Sequence, residues 1–148
     1  MLKIGDKAPS FEGIDQNGNR VSLDDFKGKK IVLYFYPKAN TPGCTAEACN
    51  LNDNWERFQA LGYQIIGVSA DTVKAQKSFA DKYQLKFPLI ADTEKDIIKA
   101  YGAWGKKSMY GKEYEGIMRY TFIIDENQLI TDIITKVDTK NHASQILK

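Results

Sequence analysis

The residues able to do chemistry are concentrated in Pro37-Lys-Ala-Asn-Thr41-Pro42-Gly43-Cys44-Thr-Ala-Glu47-Ala-Cys49, which holds both cysteines of the chain at a C-x4-C spacing. Six apolar residues, Ile31 to Tyr36, precede it and read as a buried strand. Pro37, Pro42 and Gly43 then force a loop, and a helix-compatible run begins at Cys44. A thiol is thereby set at the first turn of a helix, just beyond the end of a strand. Unpaired backbone N–H groups and the helix dipole favour an anion there. For a cysteine that anion is the thiolate, its nucleophilic form. The plainer alternative is a small buried core cysteine. The tight Thr-Pro-Gly approach and the second cysteine five residues on favour chemistry.

The elements that must position this thiol follow from periodicity and breakers. Glu12–Ile14 and Arg20–Ser22 flank an Asn17-Gly18 hairpin turn. Ser22 and Asp25 open a short helical turn that Gly28 ends. The Ile31–Tyr36 strand and the cysteine helix come next, and Leu61-Gly62 stops the helix. Tyr63–Ser69 is a second apolar strand, followed by a helix from Thr72 to Tyr83, an extended piece at Phe87–Ile90, and a helix capped by Asp92 that runs to Tyr101-Gly102. The glycine-studded segment Gly105–Gly116, with Lys106, Lys107 and Lys112, reads as a long solvated loop. Ile117–Ile124 and Leu129–Thr135 form a hairpin, and a last helix covers Thr139–Leu147. This order predicts an α/β protein with a thioredoxin-like fold: a mixed central sheet flanked by helices, with an N-terminal hairpin extension. In open α/β sheets ligands bind beyond the carboxyl ends of the strands, which is where Cys44 falls.

The chain of 148 residues suffices for a single domain, 1–148. With 43% hydrophobic and 27% charged residues it reads as an ordinary soluble globular protein. A net charge of +2 is too small and too evenly spread to point to nucleic acid. No apolar run approaches the ~20 residues that span a membrane, and no signal or transit segment opens the chain, so a cytoplasmic address is expected. Two cysteines and one histidine cannot build a four-ligand zinc site. Neither a metal nor a cofactor is expected. In a reducing compartment, paired cysteines read as catalytic or redox-sensing rather than as a permanent staple.

The whole chain resembles the peroxiredoxins, and within them the bacterioferritin comigratory protein (peroxiredoxin Q) subfamily. The resemblance rests on Tyr34-Phe-Tyr-Pro37-Lys-Ala-Asn-Thr41-Pro-Gly-Cys44-Thr, on Glu47-Ala-Cys49, and on Gly116-Ile-Met-Arg119-Tyr-Thr-Phe-Ile-Ile-Asp125. Gly5-Asp-Lys-Ala-Pro9 and Trp104-Gly-Lys-Lys-Ser-Met-Tyr-Gly-Lys also fit it. Ala39 stands where an acidic residue is often found. The resemblance implies a thiol-dependent peroxidase acting on hydrogen peroxide and organic hydroperoxides. Cys44 would be the peroxidatic cysteine, with Pro37, Thr41 and Arg119 completing the site and Cys49 resolving by an intramolecular disulfide. Thioredoxin or a similar dithiol protein would recycle it. An intramolecular resolving thiol needs no second subunit, so a monomer is expected. The rival readings are a thiol redox sensor and a chaperone-like binding module using the same disulfide switch.

The residue types suit the implied reaction. Breaking a peroxide O–O bond needs a thiolate nucleophile and a stabiliser for the departing oxyanion. A guanidinium is always cationic and offers several donors. Arg119 sits in an otherwise apolar run, where a solvent-facing strand residue is the plainer reading. Thr41 supplies a short hydroxyl, or merely stabilises a turn. Pro37 has no N–H and would shape and shield the loop. Glu47 is favourable near a helix start for dipole reasons alone. His142 reads as a surface or helix-cap residue.

Five residues of α-helix put the Cα atoms of Cys44 and Cys49 ~8–9 Å apart, beyond the ~7 Å that a disulfide bridges. Part of the helix must therefore unwind for the two to join. Asn50, Asn52, Asp53 and Asn54 are weak helix formers, together ~2 kcal/mol worse than alanine. The helical spacing of Ala48, Leu51, Trp55 and Phe58 favours one continuous, marginal helix. The alternative is a break, with Asp53 and Glu56 capping a second helix.

Overall fold

The computed structural model describes residues 1–147. Lys148, the last residue of the expected domain, lies outside them. The apolar run at 30–35 forms the middle strand of a five-stranded sheet because both of its faces are covered. Ile31, Leu33 and Phe35 join one buried cluster, while Val32, Tyr34 and Tyr36 join another on the opposite side. Period-two alternation (side chains pointing to opposite faces) thus divides one apolar segment between two cores.

In chain order the strands are β1 (Glu12–Ile14), β2 (Arg20–Ser22), β3 (Lys30–Phe35), β4 (Tyr63–Ser69), β5 (Leu89–Ala91), β6 (Trp104–Met109), β7 (Lys112–Ile117), β8 (Thr121–Ile124) and β9 (Ile130–Ile134). The helices are α1 (Pro42–Asp53), α2 (Trp55–Ala60), α3 (Val73–Tyr83), α4 (Asp96–Ala100) and α5 (His142–Ile146). The central sheet has the order β5-β4-β3-β8-β9, with β3, β4 and β5 parallel and β8 and β9 antiparallel to their neighbours. This is the mixed sheet of a thioredoxin-like core. The β1–β2 ribbon is the N-terminal addition, in the register Glu12 to Ser22. A short 3-10 turn, Leu23–Phe26, follows it with the expected Ser22–Asp25 capping box.

Three expectations are corrected. The Gly105–Gly116 segment is a β-hairpin: β6 pairs with β7 antiparallel from Trp104–Ile117 to Met109–Lys112. Its two-residue turn, Tyr110-Gly111, has φ of 53° and 76°, the left-handed pair that a tight hairpin needs. Lys107 on this hairpin is half-buried and donates to Ile117 O at 2.7 Å, so it is not a solvated loop residue. The apolar run Ile117–Ile124 is also not one strand, since Met118–Tyr120 leaves extended pairing between β7 and β8. Finally, the cysteine helix does break, at Asn54, rather than running through to Phe58. Among the described residues no helix is long and apolar enough to cross a membrane.

Candidate active site

The strand β3 delivers the chain to the site. Tyr36 N extends its pairing by donating to Val68 O at 3.1 Å. The loop that follows is tied down by Asp71, whose Oδ2 accepts from Ala39 N at 2.8 Å and from Ser69 Oγ at 2.6 Å. Asn40 takes a left-handed φ of 64°, a conformation asparagine tolerates. Thr41 then returns to extended backbone as the N-cap of α1, and Pro42 occupies its first turn. Proline suits that place because its missing N–H would have had no helical partner. The helix therefore begins two residues before the expected start, and Cys44 is its third residue. Thr41 does not cap the helix with its side chain. Its hydroxyl instead donates to Lys38 O at 2.7 Å. The N–H groups of the first turn thus remain available beside the sulfur.

Cys44 is 1% exposed, and it meets a cation. Arg119, in the connection between β7 and β8, donates from Nη2 to Cys44 Sγ at 3.4 Å. Its Nη1 donates to Glu47 Oε1 at 2.8 Å, in an ion pair whose carboxylate is fully enclosed. One guanidinium thus bridges two residues one turn apart on α1. Gly43 leaves room for it: a Cβ there would come within 3.2 Å of Arg119 Nη2. Burial raises the Glu47 carboxyl to about 7, against the opposing pull of Arg119. Burial alone would lower the Arg119 pKa, yet Cys44 and Glu47 together hold it above the ordinary value. The buried Tyr34 hydroxyl has no hydrogen-bond partner, and its pKa is pushed well up, first by burial and then by neighbours that include Glu47 and Cys44.

Of the residues singled out in the sequence, Cys44 and Arg119 are in direct contact. Pro37 is half-buried just past β3, and Thr41 turns its hydroxyl back on the loop. Cys49 lies farther along α1, partly exposed and unbonded. Burial, with Asp53 adding, raises its thiol pKa. The asparagines that weaken α1 as a helix instead fasten it by tertiary bonds. Asn50 Oδ1 accepts from Ala143 N at 2.7 Å, linking α1 to α5. Asn52 donates to Gln84 O at 3.1 Å and accepts from Lys86 N at 2.9 Å.

Two participants were missed. Glu47 is an arginine partner, more than a favourable charge at a helix start. The legible signal was a carboxylate three residues after the cysteine, on the same face, with an unpaired arginine elsewhere in an apolar run. His142 is fully buried against α1 and β8, contrary to the surface role expected of it. Its Nε2 lies 2.8 Å from Thr121 Oγ1. Among the described residues no group of His, Cys, Asp and Glu is arranged to hold a metal ion.

The AhpC/TSA family profile matches residues 4–133. A Coxiella burnetii protein named putative peroxiredoxin bcp is 43% identical over 146 residues, covering 99% of this chain and 97% of that protein. Peroxiredoxin Bcp of Escherichia coli is 42% identical over 146 residues, covering 99% and 94%. Among solved structures, a cysteine-to-serine mutant of Xylella fastidiosa PrxQ superposes with a TM-score of 0.93 at 32% identity, covering 99% of this chain and 94% of that one.

Proposed function

Because the chain belongs to the AhpC/TSA family and is a thiol-dependent peroxidase of its Bcp/PrxQ branch, we propose that Cys44 is the peroxidatic cysteine and Cys49 the resolving one. The observation that carries this reading is the 3.4 Å contact of Arg119 with Cys44 Sγ at a helix start. The thiolate attacks one peroxide oxygen in line, the O–O bond breaks, and the alkoxide or hydroxide takes up a proton. Cys44 is left as a sulfenic acid. Arg119 and the first-turn N–H groups stabilise both the thiolate and the departing oxygen. Thr41 and Pro37 shape the approach, with the Thr41 hydroxyl able to turn from Lys38 O to the peroxide.

After local unwinding of α1, the Cys49 thiol condenses with the sulfenic acid, forming the S–S bond and releasing water. A dithiol protein of the thioredoxin type then exchanges with the disulfide and restores both thiols. On this reading the enzyme handles hydrogen peroxide and organic hydroperoxides, works as a monomer and resides in the cytoplasm.

The test is turnover coupled to thioredoxin, with a peptide map after one equivalent of peroxide. Cys44→Ser abolishes peroxide consumption. Cys49→Ser retains a single rapid oxidation and loses thioredoxin-linked turnover. The map shows a Cys44–Cys49 bridge in the wild type. Full turnover by Cys44→Ser would assign the nucleophile elsewhere, and a single oxidation without turnover in the wild type would favour a redox sensor.

A further inference from the structure

One lysine of the β6–β7 ribbon takes a course that the chemistry above does not use. Gly105 and Gly116 face each other across this ribbon, one rung from its base at Trp104–Ile117. Neither glycine has a positive φ, so space rather than backbone conformation calls for them. A Cβ on Gly116 would come within 3.1 Å of Lys107 Cδ and 3.4 Å of Tyr114 Cε2, and one on Gly105 within 3.7 Å of Met118 Sδ. The bare rung is thus a notch in which the stem of Lys107 lies, flanked by Tyr114 and Met118.

The stem runs toward the base of the ribbon, where the ammonium donates to Ile117 O at 2.7 Å. That carbonyl is its single hydrogen-bond acceptor among the described residues, and no carboxylate of theirs pairs with it. A lysine ordinarily keeps its charged head in water, and the adjacent Lys106 is exposed. Lys107 instead turns inward onto a neutral carbonyl. Ile117 ends β7, and Arg119 follows two residues later. Arg119 is the middle residue of a tight turn in which Tyr120 N donates to Met118 O at 2.9 Å. On its C-terminal side this turn is held by Phe35 N, which donates to Tyr120 O at 2.8 Å. On its N-terminal side Met118 N donates to Ala103 O at 2.6 Å. Lys107 adds a third tether, at the carbonyl that leads into the turn.

We propose that Lys107 is a positioning residue for Arg119: lodged in the Gly116 notch, its ammonium pins Ile117 O and so holds the guanidinium at Cys44 Sγ. The inference rests on Cys44 and Arg119 being the reacting pair. The guanidinium needs such bracing. It serves Glu47 and Cys44 at once, at 2.8 and 3.4 Å, and it hangs from a connection outside the regular strands. Misplacing a catalytic group by about an ångström costs on the order of a hundredfold in rate, so slack of a fraction of that distance is felt. The charges agree with this placement. Burial, reinforced by the like charge of Arg119, lowers the Lys107 pKa, and Cys44 opposes both. The two cations repel each other, and their separate acceptors, Ile117 O for one and Glu47 with Cys44 for the other, offset that cost.

The test is a double-mutant cycle on the full, reduced chain, read as the rate at which hydrogen peroxide oxidises Cys44. Lys107→Met keeps an apolar stem and removes the ammonium, and oxidation slows about tenfold. Lys107→Arg still offers N–H donors to Ile117 O and regains most of that rate. Gly116→Val fills the notch while the lysine stays in the sequence, and it slows oxidation to a similar degree. In an Arg119→Met background, already slow, Lys107→Met costs less than about twofold more, because no guanidinium remains to be positioned. An equal loss in both backgrounds would mark a merely structural role and overturn the proposal, as would a wild-type rate in Lys107→Met. Should Lys107→Met not fold, a wild-type rate in Gly116→Val overturns it instead. A wild-type rate in Arg119→Met is a separate failure, which removes Arg119 from the reaction and takes with it the reading on which this inference stands.

Discussion

Under the proposed resolution by Cys49, replacing Asn50 with alanine loosens α1 between the two cysteines, and the structure sizes the effect. In the folded helix Asn50 Oδ1 satisfies the N–H of Ala143, a residue only 3% exposed. Leaving a buried N–H unsatisfied costs about 2 kcal/mol, and only the wound state loses this bond. Alanine returns about 0.6 kcal/mol as the better helix former. The net shift of about 1.4 kcal/mol toward the unwound state corresponds to about tenfold in rate when opening is a rapid pre-equilibrium. The assay mixes reduced protein with one equivalent of peroxide and follows two phases, sulfenic acid formation and then disulfide formation. Alkylation of the remaining thiols and intact mass identify each species. The expected outcome is an unchanged first phase and a second phase about tenfold faster. A second phase at the wild-type rate, in a variant whose melting temperature has fallen, would show that α1 does not have to leave α5 before the thiols join.

Two further outcomes follow from the site. The Glu47 carboxyl is raised in the folded protein to about 7 from its ordinary 4.5, so the folded state binds the extra proton between these values. The stability this group contributes is full below the lower value and is lost as pH rises through the upper one, on the order of 3 kcal/mol. Glu47→Gln removes that dependence, and its melting temperature gains on the wild type steadily from acidic to mildly alkaline pH. Parallel melting curves across that range would refute it. Gly43→Ala puts a methyl group 3.2 Å from Arg119 Nη2 and displaces the guanidinium from the sulfur. Peroxide attack falls by about tenfold while melting temperature does not fall, because alanine is the better residue in a helix. Wild-type attack rates in this variant would detach Arg119 from the chemistry.

The parts of the fold legible in the sequence are those where apolar pattern and breakers agree. The β3 run is apolar on both faces, and Pro42-Gly43 closes the loop before α1. The Asn17-Gly18 signal marks the turn of the β1–β2 ribbon, whose two observed strands fall on the expected segments. The β6–β7 hairpin was hidden because it is a ribbon outside the main sheet. Its Lys, Glu, Gly and Ser residues show no apolar alternation, and only Tyr110-Gly111 marked the turn. Residues 50–54 misled in another way. At Asn50 and Asn52 poor helix propensity reflects side chains committed to tertiary bonds, which no local pattern displays, whereas Asn54 bonds locally to Asn50 O where the helix breaks. The placement of Cys44 was legible because it rests on a strand end and a helix start, both local features. The partnership of Arg119 with Glu47 spans 72 residues of sequence. The 3.5 Å approach of His142 to Glu47 depends on α5 packing against α1. Neither leaves a local trace beyond an odd charge in an apolar run.

The burial of Ala48 and Leu51 on α1, both 0% exposed, has a consequence for the reductant. These residues belong to the cluster on one side of the sheet, while the cluster on the other side contains no residue of α1. In the proposed disulfide step, pulling Cys44 and Cys49 together would uncover hydrocarbon on one side only and leave the opposite layer intact. The spent enzyme therefore wears a different, greasier face from the fresh one. A dithiol protein that grips this face can tell which molecules need its electrons and pass over those that do not.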